Sequence, residues 1–126
     1  MKQRILVVDD EPQIREMLSM YFVQHGYEAA TAGDSAEAFR IVNASPVDVV
    51  VLDIGLADED GLTVLEKLRA AHPALKIIML TGMGFVDDLL QEAHQKGADG
   101  YVSKVLPLDE LLLAIQRILK SSPAGH

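Results

Sequence analysis

No cysteine occurs in the 126 residues, which excludes a disulfide, a thiolate nucleophile and a zinc–cysteine site. Basic residues are scarce as well: 11 lysines and arginines face 19 aspartates and glutamates, a formal charge of −8. A phosphate field repels such a molecule, so non-specific binding to nucleic acid or to an anionic membrane is excluded as its main work. No apolar run is long enough to cross a bilayer. The stretch from Lys2 to Val8 stops at Asp9 and Asp10, and nothing after it resembles a signal-peptide cleavage site. A soluble, cytoplasmic protein is therefore expected. There is no internal repeat, and only residues 121–126, rich in Ser, Pro and Gly, read as a tail or a truncated linker. What is present is the composition of a packed globule: 49% hydrophobic and 24% charged residues set the chain apart from disordered sequences. Residues 1–120 suit one domain with one core.

Continuous apolar runs at Arg4–Val8, Val47–Leu52 and Lys76–Leu80 lack alternation, as strands covered on both faces do. Gly100–Val102 is a shorter run, and Tyr27–Thr31 reads as an edge strand. Segments of helical period lie between them. Ile14, Leu18, Tyr21 and Phe22 share one face; Leu62, Leu65 and Leu68 share another. Val86, Leu89, Leu90 and Ala93 form a stripe, as do Leu108, Leu111, Leu112, Ile115 and Ile118. Ala36, Phe39 and Val42 give a thinner one. Pro12 suits a first helical turn, and the carboxylates before it suit a helix N-terminus. His25-Gly26, Lys96-Gly97 and His72-Pro73 read as helix ends. Five strand–helix alternations predict an α/β fold: a doubly wound (βα)5 with a five-stranded parallel sheet.

In such a sheet functional groups collect beyond the carboxyl ends of the strands. The first run ends in Asp9-Asp10-Glu11, the second in Asp53, the third in Thr81 and the last in Ser103-Lys104. Clustered carboxylates need a proton or a cation, and a hard ion such as Mg²⁺ suits one or two of them while keeping positions for phosphate oxygens. Taken alone, Asp9, Asp10 and Glu11 fit helix capping as well as metal binding; Asp53 at a neighbouring strand end favours the metal. A carboxylate beside a divalent ion and a lysine is suited to accept a phosphoryl group.

The elements Val7-Val8-Asp9-Asp10-Glu11, Val51-Leu52-Asp53 with Asp60-Gly61, Leu80-Thr81-Gly82 and Gly97-Ala98-Asp99-Gly100-Tyr101-Val102-Ser103-Lys104 occur in order. Over about Lys2 to Lys120 the chain resembles the receiver domain of two-component response regulators. The resemblance implies a flavodoxin-like strand order 2-1-3-4-5 and a phosphorylation-controlled switch rather than a classical enzyme, though one assisting its own Mg²⁺-dependent phosphorylation and dephosphorylation. It implies that Asp53 accepts the phosphoryl group from the phosphohistidine of a sensor kinase or phosphotransfer protein. Asp10, Asp53 and the Gly55 backbone carbonyl would hold Mg²⁺ (or Mn²⁺), with Asp9 acting largely through water. Thr81 and Lys104 would contact phosphoryl oxygens, and Tyr101 would be the aromatic switch. A downstream protein would read the fourth helix, fifth strand and fifth helix, where Met83, Phe85, Tyr101, Val105, Leu106 and Leu113 offer apolar groups.

Four departures from the family pattern carry expectations. Val105 follows Lys104 where the family usually has proline, so a trans Lys104–Val105 bond is expected, a cis one costing about 2.5–4 kcal/mol. Ala57 replaces another frequent proline, which predicts a less stiff loop. The stretch from Thr81 to Tyr101 is one residue longer than the commonest spacing, and Gly82-Met83-Gly84 predicts a pliable hinge there. Gly55 has no side chain to position an attacking water and Met83 is a weak hydrogen-bonding group, which together predict slow self-hydrolysis. None of the four histidines reads as catalytic.

Three rival functions are weaker. An aspartate-nucleophile phosphatase needs a second acid where Gly55 stands. A flavin carrier needs hydroxyl-rich phosphate loops where Asp9-Asp10-Glu11 stands. A receiver-like module that takes no phosphate does not need the complete set of Asp9, Asp10, Asp53, Thr81 and Lys104. A receiver belonging to a longer regulator with an output domain remains compatible with the sequence.

Overall fold

The computed structural model describes residues 2–56, 58–82, 87–104 and 107–120. The chain alternates strand and helix five times: β1 Arg4–Val8, α1 Pro12–Gln24, β2 Glu28–Ala32, α2 Ser35–Ala44, β3 Val49–Asp53, α3 Gly61–Ala71, β4 Lys76–Thr81, α4 Asp87–Gln95, β5 Gly100–Ser103 and α5 Leu108–Lys120. The strands are parallel in the order β2-β1-β3-β4-β5. The expectations for Ala57, Met83 to Val86, the Lys104–Val105 bond, Leu106 and the tail fall outside the described residues.

Both sheet faces are covered, which is why the central strands show no alternation. Ile5, Val7, Val49, Val51, Ile78 and Leu80 pack with Leu18 and Phe22 of α1 and Leu111 and Ile115 of α5. Leu6, Val8, Val50, Leu52, Ile77 and Met79 pack with Val42 of α2, Leu65 and Leu68 of α3 and Ala93 of α4. β2 is an edge strand as expected, one residue later than the apolar pattern indicated, and its first residue is exposed. β3 begins two residues later than expected, because Asp48 sits ahead of it and accepts the Arg4 N–H at 2.7 Å.

Two stripes differ from their prediction. Ala36 is exposed, while Val42 is buried and Phe39 packs against the core as expected, and α2 also buries Ser35 and Ala38. Leu90 of α4 is 37% exposed, while Ala93 is buried. The helix ends agree with the sequence: His25 caps α1 with Gly26 at φ +92°, His72 caps α3, and Gly97 follows α4 at φ +105°. The left-handed backbone at both glycines is the conformation that terminates a helix without a Cβ penalty. Pro12 opens α1, but no acidic residue lies in its first turn, and the Glu11 side chain makes no capping bond. The acids before Pro12 serve something else.

Candidate functional site

Each strand on the right side of the topology delivers one group to the carboxyl edge. Asp9 follows β1, and its backbone N–H donates to Ala32 O at 3.1 Å, tying it to β2. Its side chain is fully buried. Asp9 Oδ1 accepts the Glu11 N–H at 2.9 Å, and Oδ2 lies 2.8 Å from Lys104 Nζ. Asp53 ends β3, opposite Leu80 in the register. Its Oδ1 accepts the Gly55 N–H at 3.1 Å and its Oδ2 accepts from Lys104 Nζ at 3.2 Å. Thr81 ends β4 and is buried beside Ser103 of β5. The Lys104 N–H donates to Thr81 O at 2.7 Å, which fixes the lysine's backbone while its side chain reaches over β4 and β3.

Asp9, Asp10 and Asp53 each offer a carboxylate oxygen, and these oxygens lie within 4.8 Å of one another. Burial pushes the Asp9 carboxyl above the usual carboxylate pKa; the Lys104 and Glu11 hydrogen bonds pull it down, and the charge of Asp53 adds to the rise. Lys104 shows the complementary effect. Burial opposes its charge, but hydrogen bonds to Asp9 and Glu11 and the charges of Asp53 and Asp9 outweigh that and raise its pKa. The ammonium is therefore permanently charged at neutral pH. An enclosed carboxylate, two close neighbours and one cation leave more negative than positive charge at the site, a donor set that fits a hard divalent ion.

The structure brings together Asp9, Asp10, Asp53 and Lys104, with Thr81 bonded to Lys104 through its backbone. Gly55 is exposed, and a Cβ there would come no nearer than 3.9 Å to Asp53 Oδ1, so the space beside that carboxylate is open. Tyr101 lies on β5, half-buried against the face that carries α2, α3 and α4. Three neighbours were not legible in the sequence. Glu11 accepts from Lys104 at 3.1 Å. Arg15 Nη1 donates to Asp9 O at 2.8 Å. Asp58 accepts from Ser35 at the start of α2, through Oγ at 2.6 Å and through the N–H at 3.2 Å. The acidic loop after Asp53 signalled that some cation or helix N-terminus would be met, but not which.

A doubly wound sheet with an acidic cluster and a lysine at its carboxyl edge defines the receiver class of signalling domains. The chain belongs to the response regulator receiver domain family, whose model matches residues 5–116. It is 40% identical to the probable transcriptional regulatory protein TcrX of Mycobacterium tuberculosis over 116 residues, 92% of this chain and 49% of that one. It is 36% identical over 119 residues to the TorCAD operon transcriptional regulatory protein TorR of Escherichia coli O157:H7, 94% of this chain and 51% of that one. The chain thus spans about half the length of these relatives. Among solved structures it is similar to a CheY-like receiver domain protein from Methanospirillum hungatei JF-1, with a TM-score of 0.91, 28% identity and 100% of both chains covered. The receiver domain of NtrX from Brucella abortus gives a TM-score of 0.87 and 34% identity over 94% of this chain and 99% of that one. No helix among the described residues is long and apolar enough to cross a membrane.

Proposed function

We propose that Asp53 is the phosphoacceptor of this receiver and that the donor is the phosphohistidine of a sensor histidine kinase or histidine phosphotransfer protein. The observation that carries this reading is the placing of Asp53 Oδ2 3.2 Å from Lys104 Nζ, with Asp9 and Asp10 oxygens within 4.8 Å of an Asp53 oxygen. Asp53 keeps 4% exposure where Asp9 has none, so it is the one of the two that a donor can approach. A carboxylate oxygen of Asp53 forms the new bond to phosphorus. The phosphorus–nitrogen bond breaks, its electron pair stays on the donor imidazole, and that nitrogen takes a proton. The product is an acyl phosphate.

Asp10, Asp53 and the Gly55 carbonyl would hold Mg²⁺ or Mn²⁺, with Asp9 acting through water. A bound divalent ion supplies neutralisation of phosphoryl oxygen charge. Lys104 presents a point charge to another of those oxygens, and the Thr81 hydroxyl, at the end of β4, hydrogen-bonds a third. The added dianionic group then biases the loops that carry Thr81 and Tyr101 between two arrangements.

An apolar cleft between α1 and α5, lined by Ile14, Met17, Leu18, Pro107 and Leu108, opens beside Lys104 and is the surface we assign to the docking donor protein. For the output partner, Leu113 at 46% exposure and the groove of Leu90, Ala93, His94 and Tyr101 favour the α4–β5–α5 face. We place the protein in the cytoplasm, where such donors present their phosphohistidines.

Mass spectrometry after incubation with acetyl phosphate and Mg²⁺ tests the reading. One phosphoryl group should be gained, and Asp53→Ala should not gain it. No gain under saturating conditions would instead identify a receiver-like interaction module that takes no phosphate.

A further inference from the structure

Lys104 makes one contact that neither phosphoryl binding nor the acidic cluster requires. Besides Asp9 Oδ2 at 2.8 Å and Asp53 Oδ2 at 3.2 Å, its ammonium meets Glu11 Oε1 at 3.1 Å. An ammonium has three donors, so the three carboxylates occupy its whole capacity. Glu11 has a different outlet: its side chain is 58% exposed and stands at the N-cap of α1, where water or the helix's own N–H groups would satisfy it. It makes no capping bond and turns instead across the site to the lysine.

Resting on Asp53 as the phosphoacceptor, we infer that Glu11 is a latch on Lys104, holding the ammonium toward the β1–α1 loop until a phosphoryl group on Asp53 draws it away. The backbone of Lys104 is pinned to Thr81 O at 2.7 Å, so the adjustment falls to the flexible side chain. Asp9 and Asp53 have a place in the metal and phosphoryl chemistry. Glu11 lies outside the cluster of carboxylates that could hold a metal, and its 58% exposed side chain can turn to water, so its bond opens when the dianion on Asp53 draws the ammonium. Glu11 is thus a positioning residue that acts through Lys104, and it sets how readily the resting site accepts phosphate.

Three variants separate a latch from a mere negative charge at the mouth of the site. Glu11→Ala removes both charge and reach. Glu11→Asp keeps the charge but withdraws it by about 1.5 Å, one carbon–carbon bond, beyond hydrogen-bonding distance of Lys104. Glu11→Gln keeps the reach with a weaker, neutral acceptor. With acetyl phosphate and Mg²⁺, the latch predicts that the Ala and Asp variants both gain phosphate about two- to fivefold faster than the unaltered protein, the range for an ion pair with one exposed partner. The Gln variant should fall between. A simple charge effect would leave Glu11→Asp at the unaltered rate, and that result overturns the inference. The second readout needs neither metal nor phosphate: the side-chain NMR resonance of Lys104, in lysine-labelled metal-free protein, should move in the Ala and Asp variants. An unmoved resonance in Glu11→Ala also overturns it. If the unaltered protein gains no phosphate at all, the phosphoacceptor reading fails, while the Lys104 resonance still decides whether the latch contact exists.

Discussion

Replacing Lys104 with methionine keeps an unbranched apolar stem that ends where the ammonium begins and deletes the charge, so it isolates what the cation contributes to the fold. The Lys104 side chain is 15% exposed, and the side chains of its partners Asp9 and Asp53, taken without their backbone, are 0% and 6% exposed. Removing one partner of a buried ion pair costs about 3–5 kcal/mol, whereas an exposed pair is worth about 0–1 kcal/mol. Asp9 can relieve part of the cost by taking a proton, so a loss of about 2–3 kcal/mol at pH 8 is expected, equivalent to a Tm drop of about 10 °C. The loss has a definite pH dependence. Burial already raises the Asp9 pKa, and Lys104 is one of the two groups that pull it back; without the ammonium the pKa rises further. A carboxyl group with a raised folded pKa favours the fold most at low pH. That contribution is lost as pH rises from the unfolded value of about 3.9 through the folded one. In the unaltered protein Lys104 stays charged across this range, because its own pKa is raised. Urea unfolding of both proteins at pH 5 and pH 8 should therefore show the smaller difference at pH 5. Added Mg²⁺, supplying a substitute cation, should recover more stability in the variant than in the unaltered protein. An equal loss at the two pH values would refute the premise that Lys104 acts by holding the buried Asp9 carboxylate ionised.

Gly61→Ala should cost about 1–3 kcal/mol in urea unfolding and slow phosphoryl uptake, since a Cβ there would stand 2.4 Å from Asp53 O and 2.6 Å from Ile54 Cα. Gly26→Ala, at φ +92° with nothing within 4 Å, should cost only about 1–2 kcal/mol and leave uptake unchanged. Asp58→Ala and Ser35→Ala, combined in a double-mutant cycle, should couple by about 0.5–1.5 kcal/mol. The Ser35 hydrogen bond holds the Asp58 carboxyl below its usual pKa, so the coupling should be full at neutral pH and vanish as pH falls through that lowered value. Leu113→Glu should weaken binding of the output partner in a pull-down or titration and leave phosphorylation intact, because Leu113 is 46% exposed on α5 and is not among the residues bonded to Asp9, Asp53 or Lys104.

Residues at the ends of strands were legible because the topology alone decides where they go. Asp9, Asp53, Thr81 and Lys104 each close an apolar run, and in a parallel sheet every such end lies at one edge. The strand boundaries were less so. β3 starts at Val49 rather than Val47 because Asp48 is spent on the Arg4 N–H, a bond spanning 44 residues that no local pattern announces. Ala36 lies off the buried face for a related reason: the start of α2 is set by Asp34 accepting the Glu37 N–H and by Asp58 holding Ser35, which buries Ser35 and Ala38 beside the expected Val42. Side-chain destinations were the least legible of all. Glu11 stands beside two acids and before Pro12, a context that fits capping and metal binding alike, yet its partner is a lysine 93 residues away.

That distance along the chain has a mechanical meaning. Lys104 leaves β5 at the edge of the sheet, passes β4, and bonds carboxylates on β3 and on the β1–α1 loop, so one flexible side chain ties together groups that the sheet keeps on separate strands. The backbone at either end of this tie is held by hydrogen bonds: the Lys104 N–H donates to Thr81 O, and the Glu11 carbonyl, directly before α1, accepts the N–H of Arg15. On the proposed reading, a new charge on Asp53 would have two routes outward. One is the path through Thr81 and Tyr101 toward the α4–β5–α5 face. The other is the release of Glu11, which frees the first turn of α1 from the fifth strand. Once Asp53 is an acyl phosphate it no longer holds the ammonium as a carboxylate, and on the proposed reading the dianion it carries draws the cation away from the β1–α1 loop. The two routes are thus coupled through a single cation, and loosening the second should make the first easier to trigger.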